Sequence, residues 1–104
     1  MLKKKIIKKT AETEVTFEFA QNGVQSVSLV ADFNQWQPVT MKYHKKEKTF
    51  RAKVKLPKNK TFHFRYLLDG ADWENDHQAD DYVANPFGSD NSVVHTNALE
   101  KMKA

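Results

Sequence analysis

Two tryptophans stand in short polar, turn-forming stretches, Ala31-Asp32-Phe33-Asn34-Gln35-Trp36 and Leu68-Asp69-Gly70-Ala71-Asp72-Trp73, and neither lies in an apolar run that would bury it. Asp, Asn and Gly before each indole are the residues that make turns. Indoles held on loops suit a flat ligand. Between them, Phe62, Phe64, Tyr66 and Leu68 alternate with His63, Arg65 and Leu67. If the first set faces a core, Arg65 faces out at the end of a strand, close in sequence to Trp73. A planar donor beside an indole is chemistry for sugars: apolar C–H faces stack on the ring while the guanidinium donates to pairs of hydroxyls. An ion pair between Arg65 and a local aspartate explains the same spacing equally well.

Other chemistries find little support. Asp72, Glu74 and Asp76 have the alternating carboxylates of a calcium loop, but His77 stands where that loop needs glycine and Val83 where it needs a bidentate glutamate. His44, His63, His77 and His95 lack metal-ligand spacing. Asp80 and Asp81 are adjacent, so on a strand they point to opposite faces and cannot flank one glycosidic bond. No metal, cofactor or catalytic residue is expected, and the chain reads as a binding module rather than an enzyme.

The elements that must position these residues read as all-β. Val15, Phe17 and Phe19 alternate with polar residues, Asn22-Gly23 offers a tight turn, and Val27, Leu29 and Ala31 follow, which predicts a first hairpin. Phe50, Ala52, Val54 and Leu56 continue the period-two pattern up to Pro57-Lys58-Asn59. The row Phe62 to Leu68 ends at Asp69-Gly70, and Ser92 to Thr96 forms a last short strand. Short strands divided by turns predict an immunoglobulin-like β-sandwich over residues 13–96. A Lys-rich arm, 1–12, is expected to be disordered before Thr10, and 97–104 to form a tail or a single helical turn.

At 104 residues the chain is long enough for one core. It has no cysteine, which fits a reducing, cytoplasmic compartment. The basic start lacks the apolar stretch of a signal peptide, and no run of residues would span a bilayer, so no membrane partner is expected. Without secretion the glycosylation pattern Asn59-Lys60-Thr61 has no use. The net charge of +4 is unevenly spread. Lysines crowd the amino-terminal arm and 42–60, whereas seven carboxylates between Asp69 and Asp90 have no Lys or Arg among them. Where basic residues alternate with apolar ones, as in Arg51-Ala52-Lys53-Val54-Lys55-Leu56, they read as a solvated strand face that protects an edge, and nucleic acid is not the expected partner.

The motifs Ala31-Asp32-Phe33-Asn34-Gln35-Trp36, Leu56-Pro57, His63-Phe64-Arg65-Tyr66-Leu67-Leu68-Asp69-Gly70, Trp73 and Asn85-Pro86-Phe87-Gly88-Ser89-Asp90-Asn91-Ser92-Val93-Val94 keep an order and spacing that resembles the family 48 carbohydrate-binding modules. These are also known as isoamylase amino-terminal or early-set domains, and include the glycogen-binding domain of the AMP-activated protein kinase beta subunit. The resemblance covers Thr13 to Thr96. It implies a non-catalytic module, of the kind associated with family 13 glycoside hydrolases, that binds α-1,4-linked glucan such as glycogen, starch or a malto-oligosaccharide. By that resemblance Trp36 and Trp73 stack on sugar, Arg65 stands where kinase-type domains have a hydrogen-bonding lysine, Phe87 packs against the glucose units, and Ser89 and Asn91 contact hydroxyls. The chain departs from the kinase-type pattern by one extra residue between Asp69-Gly70 and Trp73 and by the charge of Asp90. Phe33 and Asn34 are expected to be structural, one buried and the other holding its turn. The alternative from another class is a docking module for a glycan-metabolising enzyme or kinase subunit, with sugar binding lost.

Overall fold

The computed structural model describes residues 2–7, 12–86 and 88–96, with only the backbone at Ile6. Ten strands follow in order: β1 (Leu2–Ile7), β2 (Glu12–Phe19), β3 (Val27–Ala31), β4 (Val39–Thr40), β5 (Lys42–His44), β6 (Thr49–Pro57), β7 (Thr61–Leu68), β8 (Asp72–Glu74), β9 (Asp81–Ala84) and β10 (Asp90–His95). One sheet runs β1-β2-β6-β5 and the other β4-β3-β7-β10-β9. All pairings are antiparallel, and the two sheets form an immunoglobulin-like β-sandwich. The predicted tail, 97–104, lies outside the described residues.

Alternation along each strand fills the core. Val15, Phe17 and Phe19 of β2 with Phe50 and Leu56 of β6 face Val27, Leu29 and Ala31 of β3 and Phe64, Tyr66 and Leu68 of β7. Phe17 meets Phe64 edge-on with centroids 4.9 Å apart, a geometry that suits the ring quadrupoles. The parity expected for β7 is therefore observed, and His63, Arg65 and Leu67 lie on its outer face.

Two expectations change. β2 and β3 do not form a hairpin, because they belong to different sheets. Both edges of β2 are taken by β1 and β6, so the chain crosses the sandwich through 20–26 instead. The N–H groups of Gln25 and Ser26 donate to one carboxylate oxygen of Asp69 at 2.8 and 2.9 Å, which fixes that crossing to the end of β7. The amino-terminal arm is likewise not disordered over Leu2–Ile7, where β1 pairs along β2 from Leu2↔Phe17 to Ile7↔Glu12. Lys4 points inward, its side chain 7% exposed, and its ammonium donates to Asp80 below the other sheet. The same Asp80 oxygen accepts the His95 N–H at 2.7 Å, so one carboxylate ties β1 to β10.

The carboxylates that suggested a calcium loop have separate uses. Asp76 is buried, accepts from the Tyr66 hydroxyl at 2.7 Å and from the Gln78 N–H at 2.8 Å, and does not converge with Asp72 and Glu74 of β8. Among the described residues no group of three His, Cys, Asp or Glu is placed to hold a metal ion. No helix there is long and apolar enough to cross a membrane.

Candidate functional site

β7 is the axis of the site. β3 pairs along one of its edges, while β10 (at Thr61 to Phe64) and β8 (at Tyr66 to Leu68) share the other in succession. Three connections therefore reach the outer face of one strand. The first is the 3₁₀ turn Asp32–Asn34 after β3. Asp32 accepts the His63 N–H at 3.1 Å, the Asn34 side-chain amide donates to the Gln37 carbonyl at 3.3 Å, and the Trp36 N–H returns to the Ala31 carbonyl at 2.8 Å. The price of this loop is two successive non-glycine residues, Gln35 and Trp36, with φ of 53° and 60°, a conformation costing about 1–2 kcal/mol per residue. The result is an indole 42% exposed. Asn34 thus holds its turn as expected, and Phe33 is partly buried against Phe17 and Phe62.

The second connection is the Asp69-Gly70 turn into β8. Both residues have positive φ, and the Ala71 N–H closes the turn on the Leu68 carbonyl at 3.0 Å. Trp73 is then opposite Leu67 in register, on the outer face, with half its surface exposed. The Arg65 guanidinium carbon lies 5.4 Å from its ring centroid, within cation–π range. Among the described residues no carboxylate comes within ion-pair distance of Arg65, and its buried Nε has no hydrogen-bond partner. The local ion pair that would have explained Arg65 without a ligand does not form.

The third connection, between β9 and β10, is folded around Asn85. Its N–H donates to the Ser89 carbonyl at 2.8 Å, and its side-chain amide donates to Ser89 Oγ and to Asn91 Oδ1, both at 3.1 Å. The Asn91 amide in turn lies 3.5 Å from His63 Nδ1.

Trp36, Arg65, Trp73, Asn85, Pro86 and Asn91 line one groove of about 550 Å³, within the range of small-ligand sites. Four of the six residues singled out in the sequence meet there. Ser89 is in the adjacent turn with its hydroxyl directed at Asn85, and Phe87 lies outside the described residues. Asn85 and Pro86 were not anticipated. An Asn-Pro pair reads as turn initiation, and nothing local marks its side chain as a hub. Tyr82 and Asn75 do not line this groove: the Tyr82 hydroxyl donates to the Asp76 carbonyl, and Asn75 accepts from Ser92 Oγ at 2.9 Å.

An immunoglobulin-like sandwich with two exposed indoles and convergent donors on one sheet face is a binding module. Residues 13–102 match the family described as the glycogen recognition site of AMP-activated protein kinase, and the chain belongs to that family. This agrees with the resemblance to family 48 carbohydrate-binding modules, a non-catalytic class of domain, and supports carbohydrate binding with glycogen as the family's ligand. No curated protein matches the chain.

Proposed function

We propose that the groove binds an internal stretch of α-1,4-linked glucan. The observation that carries this reading is the pairing of two exposed indoles, Trp36 and Trp73, with an Arg65 that has no carboxylate partner among the described residues. Trp36 and Trp73 stack on successive glucose faces. Arg65 and Asn91 donate to ring hydroxyls; Asn85 holds Asn91 by donating to its side-chain oxygen, and the Asn91 amide, 3.5 Å from His63 Nδ1, has a second N–H for the sugar. The family resemblance adds Phe87 and Ser89 to the contacts. Two stacking rings and a few hydroxyl bonds predict a dissociation constant on the order of 1 mM to 1 μM, or about −4 to −8 kcal/mol.

Tryptophan fluorescence tests the reading, with maltoheptaose as ligand, cellohexaose as control, and a second arm in about 0.5 M salt. Quenching by the α-linked sugar alone, unchanged by salt, supports it. Silence toward maltoheptaose overturns it and leaves the docking of a protein partner as the better account. A steep loss of binding with salt would indicate phosphate contacts instead.

A further inference from the structure

On the opposite side of the sandwich from β1, the sheet ends incompletely. β6 spans nine residues, but β5 pairs with only Thr49 to Arg51. From Ala52 to Pro57 the edge of β6 that faces away from β2 receives no backbone hydrogen bond from any described residue. That is about 20 Å of open strand, in which alternate N–H and C=O groups point outward, Pro57 lacking the N–H. The chain leaves this edge uncovered because it switches sheets at Met41: Thr40 pairs with β3, and Lys42 already pairs with the far end of β6.

Beside the open edge, between the two sheets, runs a groove of about 450 Å³ lined mainly by apolar residues, Phe33, Val39, Val54, Leu56, Pro57 and Phe62, with Asn34 and Lys55 also reaching it. Val39 is 38% exposed, and Phe33, Val54 and Phe62 are only partly covered. By strand parity Lys53 and Lys55 start from the other face of the same stretch; both are exposed, Lys55 also reaches the groove, and neither forms an ion pair with a described residue. Lys58 and Lys60 follow in the next turn. An added strand would therefore meet mainly apolar groups on one face and, on the other, the cations of Lys53, which stands opposite Thr16 on β2, and Lys55, which stands opposite Glu14.

We infer that the open edge of β6 accepts an extended segment of a partner protein whose side chains alternate apolar and acidic, and which adds to the sheet as a strand beyond β5. Main-chain bonds along Ala52–Pro57 supply the attachment, the Phe33–Val39–Phe62 groove takes the apolar side chains, and Lys53 and Lys55 take the carboxylates. Charge decides between occupants. Pairing this edge with that of a second copy would bring two Lys53–Lys55 rows against each other, and like charges placed opposite across strands are destabilising. The proposal is independent of the glucan groove, since neither lysine lines it.

The test is a two-dimensional ¹⁵N–¹H NMR titration of the full chain with a blocked synthetic heptapeptide of alternating Glu and Val, against the same peptide with Lys in place of Glu. The expected result is shift changes confined to residues 52–57 and Val39 with the acidic peptide only. In the double variant Lys53→Glu/Lys55→Glu that affinity should fall at least about tenfold and the Lys peptide should bind instead. Both positions are exposed, so the variant should keep its maltoheptaose affinity, which reports an intact fold. Absence of shifts at millimolar acidic peptide, equal response to both peptides, shifts centred on Trp36 and Trp73, or self-association of the free protein that the double variant abolishes would each overturn the inference.

Discussion

At Trp36 a left-handed backbone holds a large apolar ring in water, an arrangement that opposes both local conformational preference and the hydrophobic effect. Trp73, half exposed beneath a guanidinium, is the second such ring. Neither indole covers the sandwich core, so removing either should leave the fold intact. Trp36→Ala and Trp73→Ala should each weaken maltoheptaose binding at least about tenfold, roughly 1.4 kcal/mol or more, when measured by calorimetry, with melting temperatures close to that of the parent. Unfolding of both variants would assign the indoles to stability. Arg65→Lys keeps a donor but loses the planar fork, and should bind more weakly than the parent yet better than Arg65→Ala. Asn85→Ala acts at one remove. It releases Asn91 and the turn at Ser89, and should reduce affinity while the Arg65 and Trp73 contacts persist.

Among the elements, polar groups placed inside the sandwich fix how loops and strands dock. The Tyr66 hydroxyl, on the central strand, donates to buried Asp76 and so pins the segment after β8. Burial, and after it the Asp76 charge and hydrogen bond, holds the Tyr66 phenol well above the usual tyrosine value of 10.0. The native state therefore favours the neutral phenol. Its contribution is intact below about pH 10 and is lost as pH rises above that value, where the unfolded chain ionises first. Denaturation melts should fall on this alkaline side, and Tyr66→Phe should flatten the fall while costing about 1–3 kcal/mol at neutral pH through the donor lost to Asp76.

Glu18 has the opposite sign. Burial pushes its carboxyl up, but the Arg51 hydrogen bond with the Lys3 and Arg51 charges outweighs this and holds it below 4.5. Its contribution is complete above that value and disappears as pH falls below it. Arg51→Met should make the acid limb of the stability profile shallower. Lys4→Met, which leaves Asp80 with the His95 N–H but without its cation, should destabilise the fold by about 1–2 kcal/mol in chemical denaturation.

For the molecule as a whole, period-two alternation made β2, β3, β6, β7 and β10 legible, because each buries one face and turn residues bound it. β4, β5, β8 and β9 were not legible. They are two to four residues long and largely exposed, too short for a period to show. β1 was hidden by composition: Lys3 to Lys5 read as a solvated arm, although alternation sends Lys4 inward to Asp80. The supposed hairpin at Asn22-Gly23 failed because a local turn signal says nothing about which sheet the next strand joins. At the site, Trp36, Arg65 and Trp73 were legible from their types and from strand parity, and Asn91 only through the family resemblance. Asn85 was not, since its importance lies in hydrogen bonds with residues four and six positions away that only the folded turn brings together.

The chain has only two tryptophans, so two indole N–H resonances report on the site without ambiguity once each is assigned with a Trp→Phe variant. Following both during a maltoheptaose titration is the most direct test of the glucan groove. The account predicts that the two resonances shift together along one saturable curve, as expected of rings lining one groove, and that cellohexaose moves neither. Two stationary resonances at millimolar maltoheptaose, or a shift of one indole without the other, would contradict it.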